Sequence, residues 1–301
     1  MLALIFTLVF SYFAILRGLA DQHFEASRVI MSKWTTGIPK QTWFEALDEI
    51  ELALKYDPGH GAHHYRRARL YHLCTIYLVD CGVSKKEAAK LAERDYQSAR
   101  NIRPNWTLGI AHYALLKRDT GQLDQRFHEL VQQAVTLGPR VPPTLRLISQ
   151  IALTKWSSFD ADEQQMLAEH LIRGLESPAG GVKKSIVEQL HKHSRQVDGA
   201  MITSLFGYLN RDIESADWDA TFVDLTFLFW SKWPIADRLI LVDRLNLLAT
   251  SKRVNHVLKI AKDNHKLPIA CAILVQSKAV LSACNNTKLQ QLFNKQTASY
   301  H

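Results

Sequence analysis

The chain has 301 residues, a formal net charge of +8 (37 Lys and Arg against 29 Asp and Glu) and 47% hydrophobic residues. That balance excludes wholesale disorder, a collagen repeat and a disulfide-stapled miniprotein, and it leaves enough apolar material for a sizeable core. Gly (13) and Pro (9) together are about 7% of the residues, against roughly 12% in an average protein, so the chain reads as helices joined by short loops.

Residues 1–16 carry no charge. Sixteen helical residues cover about 24 Å, short of the roughly 30 Å hydrocarbon core of a bilayer, but Arg17 can snorkel and Gly18-Leu19-Ala20 extends the apolar part. Residues 1–20 are therefore expected to form a retained membrane anchor. A cleaved signal peptide would want Lys or Arg before the apolar run, and none is there. A core helix would not be apolar on every face. Arg17, Arg28 and Lys33 follow the run, which by the positive-inside rule holds the bulk in the cytoplasm, although Asp21 and Glu25 dilute that signal.

Downstream, apolar residues recur at helical spacing. Thr42 with Glu45 three residues on suggests a capping box for a helix over 43–56, stopped by Asp57-Pro58-Gly59. Helices follow over 61–80, 84–102, 106–119 and 122–137, with stops at Arg103-Pro104-Asn105 and Gly138-Pro139. The three stops share a pattern, small/apolar-x3-large-x2-Ala-x4-Pro. It is filled by Ala46, Ile50, Ala53 and Pro58, then Ala92, Tyr96, Ala99 and Pro104, then Phe127, Val131, Ala134 and Pro139. Small residues let antiparallel helices approach, a large neighbour fills the gap, and Pro turns the chain into the next pair. The interval from Pro104 to Pro139 is 35 residues and that from Pro58 to Pro104 is 46. The first therefore holds an insertion of about twelve residues near 74–86, as extra helical turns or as longer helices, against a 34-residue tetratricopeptide unit.

Helices continue to the end: Pro142 to about 156, 161–176 capped by Asp160, 182–196, 199–213, 218–231, 235–250, 251–263, 268–284 and 287–296. Ser177-Pro178-Ala179-Gly180-Gly181 is the clearest linker. Phe222–Trp230 has strand propensity but reads as a buried helix among such neighbours. The fold class is all-α, a tetratricopeptide-like α-solenoid behind an N-terminal transmembrane helix. The divisions are 1–20 anchor, 24–140 repeats, 141–245 helical continuation and 246–301 a basic segment. That last segment carries eight Lys and Arg, including Lys252, Arg253, Lys259, Lys262 and Lys266, against Asp263 alone. It offers a contact with an anionic membrane surface or an acidic partner and not a specific nucleic-acid site.

Arg17-Gly18-Leu19-Ala20 after an uncharged start, then Trp34, Trp43 and the Ala46…Ala53-Leu54-x-x-Asp57-Pro58 helix end resemble the VpsP-type family of bacterial polysaccharide-biosynthesis accessory proteins over about residues 5–140. The resemblance implies a single-pass inner-membrane protein working with exopolysaccharide or biofilm-matrix machinery, an accessory role without assigned chemistry, protein partners in a membrane-bound polysaccharide assembly, and a helical domain in the periplasm. The resemblance to tetratricopeptide arrays places the first helix of each pair along a partner-binding groove, with Tyr65, Arg69 and His72 from one pair and Leu115 and Arg118 from the next. Arginines there can fork onto a partner's carboxylates, against the plainer reading of helix solubility.

No enzyme signature is present: no G-x-S-x-G, no Walker loop, no G-x-G-x-x-G and no H-E-x-x-H. Asp217 and Asp219 point to opposite faces of a helix and make a poor acid/base pair, while Trp218, Trp230 and Trp233 read as core. His60, His63, His64 and His72 read as surface or groove histidines and not a metal site, since no Cys or carboxylate lies within the cluster. His191 and His193 read as solvated. The chain is therefore expected to take no cofactor and no metal. An enzyme acting on envelope glycans, and a lipid or nucleic-acid binder acting through residues 246–301, are the alternatives to an adaptor. Cys74, Cys81, Cys271 and Cys284 read as buried free thiols, with the seven-residue spacing of the first two too long for a bridge within one helix.

Overall fold

The structure is a computed structural model that describes residues 2–34, 37–77, 80–179, 181–210, 216–249 and 254–274. Among the described residues there are fourteen α-helices and no strand. The chain divides into two compact units, residues 1–159 and 160–301. The Pro142 helix therefore belongs with the repeats, and Ser177–Gly181 runs inside the second unit.

The first unit contains α1 (Leu2–Ser32), α2 (Lys40–Tyr56), α3 (Gly61–Ile76), α4 (Lys85–Ile102), α5 (Thr107–Asp119), α6 (Gln125–Leu137) and α7 (Pro142–Lys155). The tightest pairs are α1 with α2, α3 with α4 and α5 with α6, and each pair leans on the next. The repeat positions explain why. Ala46, Ala53, Ala92 and Ala134 have no exposed surface, and Ile50, Tyr96, Ala99, Phe127 and Val131 are buried beside them. The 46-residue interval is met mainly by longer helices, since α3 and α4 have 16 and 18 residues where α5 and α6 have 13 each.

The helix starts follow ordinary capping chemistry. Ser84 accepts from the Glu87 amide, Asp124 from that of Phe127, and Asp160 forms a reciprocal box with Glu163. Thr42 caps nothing. The helix begins earlier, at Lys40 after Pro39, and the Thr42 hydroxyl donates to the Pro39 carbonyl and accepts from Trp34 Nε1 at 3.0 Å. Proline with φ −65° is already placed to enter a helix, and it overrides the local cap signal.

α1 also runs further than the sequence suggests. Its second half is the first helix of the first pair: Ala20 and Ser27 are fully buried, the Ser27 hydroxyl bonds the Ala46 carbonyl at 2.9 Å, and His23 bonds Glu49 at 2.7 Å. No break separates this part from the apolar start.

The cysteine reading is overturned. Cys74 and Cys81 form a disulfide with Cα atoms 6.3 Å apart, Cys271 is also disulfide-bonded, and no described cysteine is free. The predicted helix over 61–80 ends at Ile76, so Cys74 and Cys81 do not share a helix. The bridge joins the core formed by Trp43, Leu47, Ile50 and Leu70.

The second unit contains α8 (Ala161–Leu175), α9 (Val182–Lys192), α10 (Gly199–Leu209), α11 (Ala216–Leu228), α12 (Ile235–Ala249), α13 (Val254–Asp263) and α14 (Leu267–Ile273). Phe222–Trp230 is helical up to Leu228, and Phe222, Phe227 and Phe229 are buried. Trp230 and Trp233 are core residues, and the Trp233 indole donates to the Thr226 carbonyl at 3.1 Å. The side chains of Asp217, Trp218 and Asp219, and the helix expected over 287–296, lie outside the described residues. Among the described residues, no helix is long and apolar enough to cross a membrane.

Candidate interaction site

Four of the five groove candidates, Tyr65, Arg69, His72 and Arg118, are linked through His112 and Asp119 in a seam within the array. Its base is the α3–α4 contact. Arg67 donates from Nε and Nη2 to the two oxygens of Asp95, at 2.7 and 2.8 Å. Burial alone would raise the Asp95 carboxyl, but the Arg67 fork, the His64 ring and the nearby Arg94 outweigh it and hold the group below the usual carboxylate range.

Above this pair, His72 is fully buried. Its Nε2 lies 2.9 Å from Asp119 and its Nδ1 3.3 Å from the Tyr96 hydroxyl. The neutral ring with its proton on Nε2 satisfies both partners: it donates to the carboxylate and accepts from the phenol. Burial depresses the His72 pKa, and the Asp119 contact only partly offsets that effect. His112 on α5 takes a bond from Arg69 Nη1 at 2.9 Å, and burial followed by the Arg69 charge holds its pKa well below the ordinary value. Arg118 bonds Asp119 at 2.8 and 2.5 Å and reaches Thr154 on α7 at 3.4 Å. Tyr65 packs against Trp106 and His112 with ring centroids 4.6 and 5.5 Å apart. Leu115 is buried.

The groove assignment therefore changes character. The array's own carboxylate, Asp119, occupies Arg118, and the ring of His112 occupies Arg69. His72 has no exposed surface and Leu115 is 6% exposed in this arrangement. Tyr65, Arg69 and His72 lie on α3 and Leu115 and Arg118 on α5, the first helices of successive pairs.

The histidine cluster also differs from expectation. His60 is exposed, but His63 is fully buried, with Nδ1 3.2 Å from the Asp57 carbonyl, and burial lowers its pKa. Among the described residues no group of three or more His, Cys, Asp or Glu is placed to hold a metal ion. His191 is not simply solvated. It bonds Asp224 at 2.7 Å, which raises its pKa, and Asn264 bonds the other oxygen of Asp224 at 3.0 Å.

That Asp224 cluster borders a cleft of about 750 Å³ in the second unit, between the 177–181 segment, α9, α11 and α13. Lys183, Glu188, Thr221 and His256 also line it. The sequence reading missed the cleft because its residues come from four separate segments, none with a motif of its own. Lys259 and Lys262 are exposed on α13 and Lys266 is half-buried, whereas Lys252 and Arg253 lie outside the described residues.

A different surface is continuous along α1. Phe6, Leu8, Val9, Phe10, Tyr12, Phe13 and Ile15 are all exposed, at 46% to 70%. Arg17 ends the run, with its guanidinium 3.7 Å from Asp57 at the close of α2.

No protein-family model matches the chain, and no curated protein does. The solved structures it is similar to include a chain from the functional characterization of Pseudomonas aeruginosa pilF. The two share 11% identity and a TM-score of 0.44, over 93% of this chain and 99% of that one. The helix pairs and their buried small residues make the first unit a tetratricopeptide-like helical array, a fold suited to holding protein partners.

Proposed function

We propose that this protein is a membrane-anchored, non-enzymatic adaptor, held in a bilayer by the apolar start of α1 and binding protein partners through its helical units. The observation that carries the reading is in α1 itself. Residues 6–15 expose a continuous apolar surface, and from Ala20 the same helix is buried in the array. Water is a poor solvent for so large a contiguous apolar surface, whereas hydrocarbon is a good one.

The cysteines favour the oxidising side of that membrane. A disulfide between Cys74 and Cys81, with Cys271 also bonded, belongs in a compartment that does not reduce thiols. We therefore assign the bulk to the periplasmic side, against the positive-inside reading of Arg17, Arg28 and Lys33. The setting we propose is a bacterial exopolysaccharide assembly, which rests on the VpsP-type resemblance of residues 5–140.

The test is flotation of the full chain with vesicles, followed by crosslinking in native membranes. The wild-type chain floats, and a variant with Phe10→Ser, Phe13→Ser and Ile15→Ser does not. Crosslinks to components of a polysaccharide assembly support the setting. A wild-type chain that stays at the bottom of the gradient overturns the anchor.

A further inference from the structure

We infer that the end of the array carrying the three proline turns is a membrane-facing surface that rests on anionic lipid headgroups. The inference deepens the anchor reading above and rests on it. Three separate features converge on this end.

The first is the position of the anchor. α1 lies antiparallel to α2, with Ser27 at Ala46, His23 at Glu49 and Tyr56, and Arg17 at Asp57. The apolar run therefore stops level with the α2–α3 turn. If residues before Arg17 are in hydrocarbon, that turn lies at the headgroup level, because a helix without a break gives the body no slack to move away.

The second is that the other two proline turns lie beside it. The α2–α3 turn reaches the α4–α5 turn at Gly61, where an added Cβ would stand 3.0 Å from the Arg103 side chain. The α4–α5 turn reaches the α6–α7 turn twice. Gln133 bonds the Pro104 carbonyl at 3.5 Å, and a Cβ on Gly138 would stand 2.9 Å from Thr107. Asp57–His60, Arg103–Trp106 and Gly138–Val141 therefore form one continuous rim.

The third is the chemistry of that rim. Lys55, Arg103 and Arg140 are exposed, and Arg17 is 78% exposed. Asp57 is the one carboxylate within the turns, and it offsets one of these cations, with Arg17 3.7 Å away. Asp21 lies one helical turn further into the body. Between the cations stand Ile102, Leu137 and Val141, each about 40% exposed, and the Arg103 guanidinium lies over the Trp106 ring at 4.4 Å. Cations interleaved with exposed apolar and indole groups suit the boundary between headgroups and hydrocarbon. The opposite end pairs several of its charges. There Lys40 pairs with Asp80, Arg118 with Asp119 and Lys117 with Asp124. That end also exposes Lys85, Lys86, Ile76, Tyr77 and Val83, so it is the place of the apolar run on α1, and not composition alone, that singles out the proline-turn end.

The test uses the full chain with an environment-sensitive fluorophore on Asn105→Cys, or on Lys86→Cys at the opposite end. It is bound to vesicles of phosphatidylethanolamine and phosphatidylglycerol, or of phosphatidylcholine alone. Headgroup-nitroxide lipids should quench the label at 105 several-fold more than that at 86 in the anionic vesicles, and less in the zwitterionic ones. Arg103→Glu with Arg140→Glu should narrow the difference to that seen in the zwitterionic vesicles while the chain still floats. Arg140→Glu alone, at an exposed turn position, should reduce it should the double variant fold poorly. A chain that floats with position 105 no more quenched than 86 overturns this inference and leaves the anchor standing. A chain that does not float overturns both. A label at 105 that is shielded only when a second protein is added gives the rim to a protein partner, and this also overturns the inference.

Discussion

Arg67 and Asp95 meet side-on, with two nitrogen–oxygen bonds of 2.7 and 2.8 Å, at a carboxylate that is 1% exposed. The pair joins α3 to α4 at the most closely packed interface in the array. A buried pair of this kind adds little over well-packed apolar residues, but losing one partner strands the other charge. Arg67→Met should cost about 3–5 kcal/mol in denaturant unfolding of the full chain, and Arg67→Met with Asp95→Leu should recover much of it. Asp95 titrates below its unfolded value, so its contribution is present above the ordinary carboxylate pKa and lost as pH falls through the lowered one, below about pH 4. An unfolding midpoint unchanged by Arg67→Met would show that the fork carries no stability.

The alanine positions give a steric prediction. Ala92 has no exposed surface on α4, whereas Ala89, three residues earlier on the same helix, is only partly buried. Ala92→Leu must push α4 from its neighbours and should cost about 1–3 kcal/mol, while Ala89→Leu should be close to neutral. Equal effects in a denaturant titration would mean that Ala92 does not set the approach of the helices.

The contrast between these residues shows what the sequence could reveal. The Ala92, Tyr96, Ala99, Pro104 spacing was legible because helical period and close approach are local properties, and so was the Asp160 cap. The role of α1 beyond Arg17 was not legible. Ala20 and Ser27 are small residues among charges, and only their burial against Ala46 marks them as interface. The seam was half legible. Arg69, His72 and Arg118 were placed on one face, but Arg69 and His72 find their partners, His112 and Asp119, across 43 and 47 residues. No local pattern states that a groove is filled by the chain's own side chains. The disulfide was missed because the helix expected to reach residue 80 ends at Ile76.

The buried histidines predict an acid-sensitive array. His63, His72 and His112 all have pKa values lowered by burial, so the unfolded chain binds more protons than the folded one once pH falls below about 6.5. Their neutral forms support folding above that pH, and the support is lost progressively as pH falls from the unfolded value toward the lowered folded one. Protonating His112 would also remove the acceptor that Arg69 uses and set two cations side by side. His191 acts in the opposite sense. Its pKa is raised by Asp224, so its contribution is full below the unfolded value and fades as pH rises through the folded one. Thermal unfolding from about pH 7.5 to about pH 5 should show a falling midpoint for the array, with a shallower slope in His112→Gln. A slope identical in the variant would remove His112 from the account.

The Cys74–Cys81 bridge closes the connection that follows α3, at residues that are 3% and 5% exposed. Its main effect is on the unfolded chain, where cross-linking two residues seven apart removes loop entropy worth roughly 2 kcal/mol. Cys74→Ser with Cys81→Ser should lower the denaturation midpoint by about that amount and leave the helix content unchanged. The change should also be local. Val83 and the rest of the connection lie at the end of the array opposite the proline turns, so amide exchange should quicken at residues 80–84 and stay slow in Ala99–Ile102 and Ala134–Leu137. If exchange quickened equally at both ends, the bridge would be holding the whole unit together, and the connection would not be a separate element tied down at one rim.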